Sequence, residues 1–359
     1  MKFDLVVNLE RLNDSVDMRD VLQHVTRLVK MADEGGFATA WAAEHHALEM
    51  TIAPSPFQLL THWAAHTSRI RLGTAVVVAP YWHPVKLAGE AALFDLLSGG
   101  RLEFGIGRGA YQREFDRIKD GMDQKLGAPM VREMLPALKG LWQGDYAHDG
   151  EYWKFPTSKS CPAPLQKPHP PIWVAARDPN SFDTAVSEGS SVMTWALTRS
   201  FSEVELYKSH FETALAAHPE VERPRFMTMR HTGIYAKPGG EAPFIEAIQH
   251  QGRQFENLFR NLAPVVDGFP EDPDPSLLTN QAEYEASNLK QNLILGTPDE
   301  AILKLKAYEA LGVDHFCFNS AFGLAPEHQE RSLRLFIDEV MPAFREASPG
   351  PTAVEPAGS

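Results

Sequence analysis

The chain has 359 residues, 43% of them hydrophobic and 23% charged, with a formal net charge of −13 at pH 7. That length suits one large α/β barrel or two ordinary domains. The acidic balance excludes nucleic acid or an anionic membrane as a partner held by bulk electrostatics, because the field repels phosphate.

No apolar signal region opens at Met1–Asn8, and no run reaches the roughly 18 apolar residues of a membrane span. A cytoplasmic protein is expected. Cys161 and Cys317 alone cannot build a disulfide framework or a cysteine zinc site.

Short apolar or β-branched runs alternate with longer amphipathic ones along nearly the whole chain, the rhythm of a parallel sheet. Phe3–Val7 precedes a helical pattern at Met18–Asp33, Thr39–Ala43 one at Pro56–Thr67, and Ile70–Val77 one at Val85–Leu97. Leu102–Ile106 then leads to Met130–Trp142, Ile172–Ala175 to Ser181–Ser187, and Ser191–Ala196 to Glu203–Ala217. Arg225–Ile234 leads to Glu241–Leu262 and Asp299–Ala310, and Asp314–Phe318 to Glu327–Arg345. Eight strands favour closure into a (β/α)8 barrel with one extra helix. Gly35-Gly36, Gly99-Gly100, Gly189 and Gly312 each follow a helix and precede a strand, where glycine takes the left-handed conformation that ends a helix.

Two segments break the rhythm. Gly144–His169, with Tyr152-Trp153-Lys154-Phe155 and several prolines, reads as an excursion between strands four and five that packs over the rim. Val265–Ser276 is acidic and proline-rich, a composition that does not sustain helix or strand over its length. It reads as a mobile lid after the seventh βα unit, or equally as a solvated surface loop. Residues 1–346 form one domain, and 347–359 a disordered tail.

The chemistry-bearing residues gather at strand ends, the catalytic face of such a barrel. Trp41-Ala42-Ala43-Glu44-His45-His46 brings a carboxylate and two imidazoles to the end of the second strand. Side chains alternate along a strand, so His45 and His46 share a target only if the strand has already ended. A histidine facing the pocket suits general acid–base work, since its pKa lies near neutrality. Metal binding is not expected: there is no His-Glu-x-x-His, and His62/His66 has no third ligand.

Phe104-Gly105-Ile106-Gly107-Arg108-Gly109-Ala110-Tyr111 places Arg108 at the end of the fourth strand between glycines. The backbone there can approach a ligand while the guanidinium offers a fork for phosphate; by itself Arg108 is as readily a rim salt bridge. The spacing is not a dinucleotide fingerprint. Gln166–Ala176 runs into Arg177-Asp178-Pro179-Asn180-Ser181, where Asn180 or Ser181 caps a helix whose free N–H groups form an anion site. Two phosphate-suited elements on neighbouring loops suggest a phosphorylated cofactor.

Over nearly its whole length the chain resembles the bacterial luciferase-like flavin-dependent monooxygenases, and most the luciferase α-chain branch. The motifs are Glu44-His45-His46, Leu72-Gly73-Thr74-Ala75-Val76, His83-Pro84-Val85, Gly99–Gly109, Gln166–Ala175 and Gly296-Thr297-Pro298-Asp299-Glu300, in that order. The resemblance implies a TIM barrel that takes reduced FMN as a co-substrate from a separate NAD(P)H:flavin reductase and reacts it with O2. It implies His45 as the catalytic histidine and a cis Ala75-Val76 peptide under the flavin. Arg108, Ala176, Asn180, Ser181 and Trp195 complete the cofactor positions, and Gly107, Tyr111 and Phe115 the substrate pocket.

Where the luciferase α chain has a reactive cysteine, this chain has Gly107, which puts light emission in doubt and is expected to leave more room there. A small apolar substrate, such as an aldehyde or ketone oxidised by Baeyer–Villiger-type attack, fits the pattern. Alternatives are a deazaflavin-dependent hydride-transfer enzyme of the same superfamily, or a non-catalytic flavin-binding partner. A homodimer is expected from the resemblance and from the small residues Ala88, Gly89, Ala91 and Ala92, which can also pack that helix onto its own barrel.

Overall fold

The computed structural model describes residues 1–344 except 12, 280, 321 and 322, so the expected tail at 347–359 lies outside the described residues. Eight parallel strands close a barrel: β1 (Lys2–Val6), β2 (Thr39–Ala42), β3 (Arg71–Thr74), β4 (Leu102–Gly107), β5 (Ile172–Ala175), β6 (Ser191–Trp195), β7 (Phe226–Ile234) and β8 (His315–Asn319). Neighbours in chain order pair, and β8 returns to β1 through Lys2↔His315 to Val6↔Asn319. Each of the four expected turns holds glycine at positive φ, Gly36, Gly99 and Gly100, Gly189, and Gly312, while Gly35 is the last residue of its helix.

Side-chain alternation sorts each strand between two environments. Phe3 and Leu5 of β1 and Ala40 and Ala42 of β2 join the large core under the helices. Val6, Trp41, Trp173, Met193, Met227 and Cys317 fill the barrel interior. Below them lies a polar layer. Asp4 accepts from Trp41 Nε1 and pairs with His315 Nδ1 at 2.9 Å. Glu103 accepts from Trp173 Nε1, Arg71 and Arg225.

Several local expectations need correction. The third run is interrupted at Ala75-Val76, and only Val77–Val78 resumes pairing with β4. A short strand, Ile294–Gly296, pairs in parallel with the far end of β7, Thr232–Ile234, and short helices occupy Gln112–Ile118 and Ala286–Asn292. Three residues of strand and seven of helix carry too little periodicity to stand out. The excursion between β4 and β5 contains a hairpin, Tyr146–Asp149 against Lys154–Ser158. Its turn is tied down by Glu133, which accepts the backbone N–H of Glu151, Tyr152 and Trp153.

The acidic, proline-rich Val265–Ser276 segment also forms a small hairpin, Val265–Val266 with Phe269–Pro270. Its Asp267-Gly268 turn has positive φ at both residues, the geometry that favours such tight turns. Gly268 accepts from Glu49 N at 2.8 Å and Glu271 from Asn257 Nδ2 at 2.7 Å. The unstructured loop expected from composition is therefore replaced by a hairpin joined to its surroundings.

Candidate functional site

The strand ends of the barrel open into a cavity of about 490 Å3, within the range of small-molecule sites. β2 stops at Ala42, so the next residues are free of strand alternation, yet the two histidines still diverge. His45 lines the cavity, with its ring 5.1 Å from that of Tyr111. His46 turns aside against Tyr81, 5.4 Å between rings.

Each histidine has its own carboxylate. His45 Nδ1 lies 3.2 Å from both oxygens of Glu114, whose Oε1 also accepts the His46 N–H at 2.6 Å. Because a carboxylate only accepts, Nδ1 carries the proton and Nε2 is left to take or give another. His46 Nε2 is 3.1 Å from Glu44, which also accepts from Val78 N and Trp82 Nε1. The hydrogen bond to Glu44 raises the His46 pKa, helped by the charges of Glu44 and Glu114 and opposed by burial. Burial and the charge of Glu114 push the Tyr111 hydroxyl far above its usual range, so it stays protonated.

Glu114 was not among the residues singled out by sequence, although Tyr111 and Phe115 flank it. A lone glutamate in an unrecognised seven-residue helix has no distinguishing signal; only the fold brings it under His45. Phe115 needs correction. It is fully buried, 5.2 Å from the Tyr81 ring and packed below Gly109, and does not line the cavity. Tyr111 and Gly107 do line it.

Gly107 leaves no extra room. A Cβ there would lie 2.5 Å from Val76 Cγ2, so the side chain of Val76 occupies that space and glycine is what its approach requires. The Ala75-Val76 peptide is cis, and both residues line the cavity floor with Ala176. Trp195 ends β6 on the same cavity, its Nε1 buried without a partner among the described residues.

The helix start expected to bind an anion differs in detail from expectation. Helix Pro179–Ser187 is capped by Asp178 rather than by Asn180 or Ser181. The Asp178 carboxylate accepts from Asn180 N at 3.1 Å and Ser181 N at 3.3 Å, and Ser181 Oγ in turn accepts from Asp178 N. These N–H groups are already used, and a phosphate reaching them has to displace that carboxylate. Asn180 and Ser181 nevertheless line the cavity beside Arg108, joined by Arg132 from helix Gly127–Gln143. Two exposed guanidiniums supply the local positive charge that a protein of net −13 needs to hold a phosphate. The residues present fit a flat phosphorylated group: cations at one end, a floor of small side chains, and His45 with Tyr111 beside it.

Residues 1–315 match the family model described as luciferase-like monooxygenase. The chain is 42% identical to the oxygenase component of the flavin-dependent trigonelline monooxygenase of Acinetobacter baylyi, over 97% of this chain and 96% of the relative. It is 28% identical to an alkanal monooxygenase α chain of Photorhabdus luminescens, covering 91% and 93%. The oxygenating constituent of 3,6-diketocamphane monooxygenase from Pseudomonas putida, solved with FMN, shares the fold with a TM-score of 0.76 at 20% identity, covering 96% and 98%.

Proposed function

The chain belongs to the luciferase-like monooxygenase family and is a flavin-dependent monooxygenase, and from that premise we infer that it uses reduced FMN delivered by a separate NAD(P)H:flavin reductase. The observation that carries this reading is the convergence of the His45–Glu114 pair, the cis Ala75-Val76 floor and the Arg108/Arg132 charges on one cavity. The deazaflavin and non-catalytic alternatives lose their ground to the 42% identity with a flavin-dependent oxygenase component.

The chemistry supplied by the bound cofactor is two-electron activation of dioxygen. Arg108 and Arg132 hold its phosphate, and Ala75, Val76 and Ala176 leave space for a flat ring. Tyr111, Trp195 and Phe259 wall the cavity with apolar surface and keep water from the reacting centre. His45 Nε2 exchanges one proton there, its tautomer held by Glu114. The substrate is a small organic molecule with an apolar body.

The test is oxygen consumption by the purified protein with enzymatically or photochemically reduced FMN, followed by stopped-flow absorbance. Reoxidation through a resolved intermediate phase supports the reading; a single phase at the rate of free reduced FMN counts against it. Arg108→Ala is expected to weaken reduced-FMN binding by about 1.5–3 kcal/mol, the scale of a charge-assisted contact. Unchanged affinity in a flavin titration removes Arg108 from the phosphate end.

A homodimer remains the expected assembly, but for a different reason from the small residues. Ala88, Ala91 and Ala92 have no exposure, and Trp142 Nε1 and Ser160 Oγ both bond to the Ala88 carbonyl, so this face packs within its own chain. The opposite face of the same helix carries Leu93, Leu96 and Leu97 at 48, 41 and 61% exposure, apolar surface available to a second copy. Light scattering near the 39.9 kDa of one chain would count against the dimer.

A further inference from the structure

The wall of the cavity is rich in sulfur along two neighbouring strands. Met193 of β6 and Met227 and Met229 of β7 all line it. Strand pairing sets Met193 opposite Met227 and Trp195 opposite Met229, and alternate residues of a strand share a face, so the three thioethers point to one side. Depth separates them. Met227 is fully buried, and Met193 is 6% exposed, its Cε only 2.9 Å from where a Cβ on Gly105 would lie. Met229 is half-buried and packs on the same interior cluster as Ala75 and Val76 of the cavity floor.

No thiol competes with these thioethers. Among the described residues lining the cavity there is no cysteine. Cys317 is buried in the barrel interior, where burial and the charge of Asp4 push its thiol well above the usual range. It therefore stays protonated and inert. Cys161 is exposed, outside the cavity. A thioether takes up oxygen without first losing a proton, so access to the oxidant decides which methionine reacts. By access, Met229 comes first.

We propose that Met229 is a redox modification site, oxidised to the sulfoxide by hydrogen peroxide that is released in the cavity when reduced FMN meets O2 without substrate. The inference rests on the oxygenase reading above. Reduced FMN gives two electrons and two protons to O2, leaving oxidised FMN and hydrogen peroxide. The peroxide O–O bond then breaks: one oxygen bonds to the Met229 sulfur, which loses two electrons, and the other leaves as water. An apolar side chain becomes polar, beside the small residues that leave space for a flat ring. Flavin affinity falls, and wasteful consumption of reduced FMN limits itself until a methionine sulfoxide reductase restores the thioether.

The test gives the full chain photochemically reduced FMN, O2 and catalase without substrate, followed by peptide mass spectrometry. Met229 is expected to gain one oxygen first, Met193 later and Met227 last, in the order of their exposure. Met31 and Met122, half-buried but outside the cavity, should stay unmodified, because catalase removes peroxide from bulk water. A flavin titration after the reaction should show affinity lowered about 5-fold or more, the lower end for a polar group covered without a partner. Met229→Leu, a change that nearly conserves volume, should keep the affinity of its own untreated sample.

Oxidation of Met31 and Met122 to the same extent as Met229, or unchanged flavin affinity in a chain carrying the sulfoxide, overturns the proposal. So does a Met229 that stays unmodified both during reoxidation of reduced FMN and on addition of hydrogen peroxide to the flavin-free chain. Oxidation by added peroxide alone separates the two readings. In a protein that fails the oxygen-reaction test it leaves Met229 as a peroxide-sensitive site and removes the oxygenase reading. In a protein that passes that test it overturns the proposal, because the cavity then releases no peroxide onto Met229.

Discussion

His45→Ala is expected to leave folding and flavin binding nearly intact and to lower turnover by about 100-fold or more, the range for losing a positioned acid or base. The reason is geometric. Nδ1 is held by a buried carboxylate, Glu114, with 0% side-chain exposure, which leaves Nε2 as the group able to exchange a proton beside the cavity. Glu114→Gln keeps an acceptor for Nδ1 but removes the charge, so the expected result is a loss of turnover smaller than that of His45→Ala. A Glu114 with a merely structural role would lower the melting temperature and leave turnover unmoved.

His46→Ala is the control, because His46 faces Tyr81 and Glu44 and does not line the cavity. Its effect belongs to stability. The raised His46 pKa means the folded state binds the proton more tightly than the unfolded chain. The stabilisation is fully present below the unfolded value of about 6.5 and is lost as pH rises through the raised folded value. The melting temperature of wild type minus that of His46→Gln is expected to fall across that window. If His46→Ala abolished turnover and His45→Ala did not, the catalytic role would move to His46.

The largest expected loss of stability lies at the opposite end of the barrel. Glu103, 1% exposed, accepts from Arg71, from Arg225 Nη2 at 2.9 Å and from Trp173 Nε1, while the Arg225 guanidinium lies 4.4 Å over the Trp173 ring. Removing one partner of a buried pair costs about 3–5 kcal/mol. Arg71 and Arg225 keep 32% and 33% side-chain exposure, so water recovers part of the loss. Glu103→Ala is thus expected near 3 kcal/mol, or about 6 °C at roughly 2 °C per kcal/mol for a large domain. Glu90→Ala, which breaks the surface pair with Lys86, should cost about 0.5 kcal/mol or less. Equal melting temperatures for the two variants would mean the Glu103 cluster contributes no more than a surface pair.

What the sequence by itself determined is the strand–helix alternation, the helix-ending glycines and the order of the motifs at the strand ends. These are local: each depends on side-chain period or on a backbone angle only glycine adopts easily, and each can be read within a short window. His45 and Arg108 were expected from their strand ends, Trp195 and the Ala75-Val76 pair from the family resemblance, and all of them line the cavity. The tertiary structure alone decided which atoms meet. Glu114 reaches His45 across 69 residues, Asp178 takes the helix start expected of Asn180 or Ser181, Val76 fills the space beside Gly107, and Phe115 turns into the core. Arg177 and Trp195 come to share a chamber with Phe255 and Phe259 only because helix Ala242–Arg260 lies across the barrel mouth. Such pairings depend on the path of the backbone between distant segments, and composition and periodicity carry no record of that path.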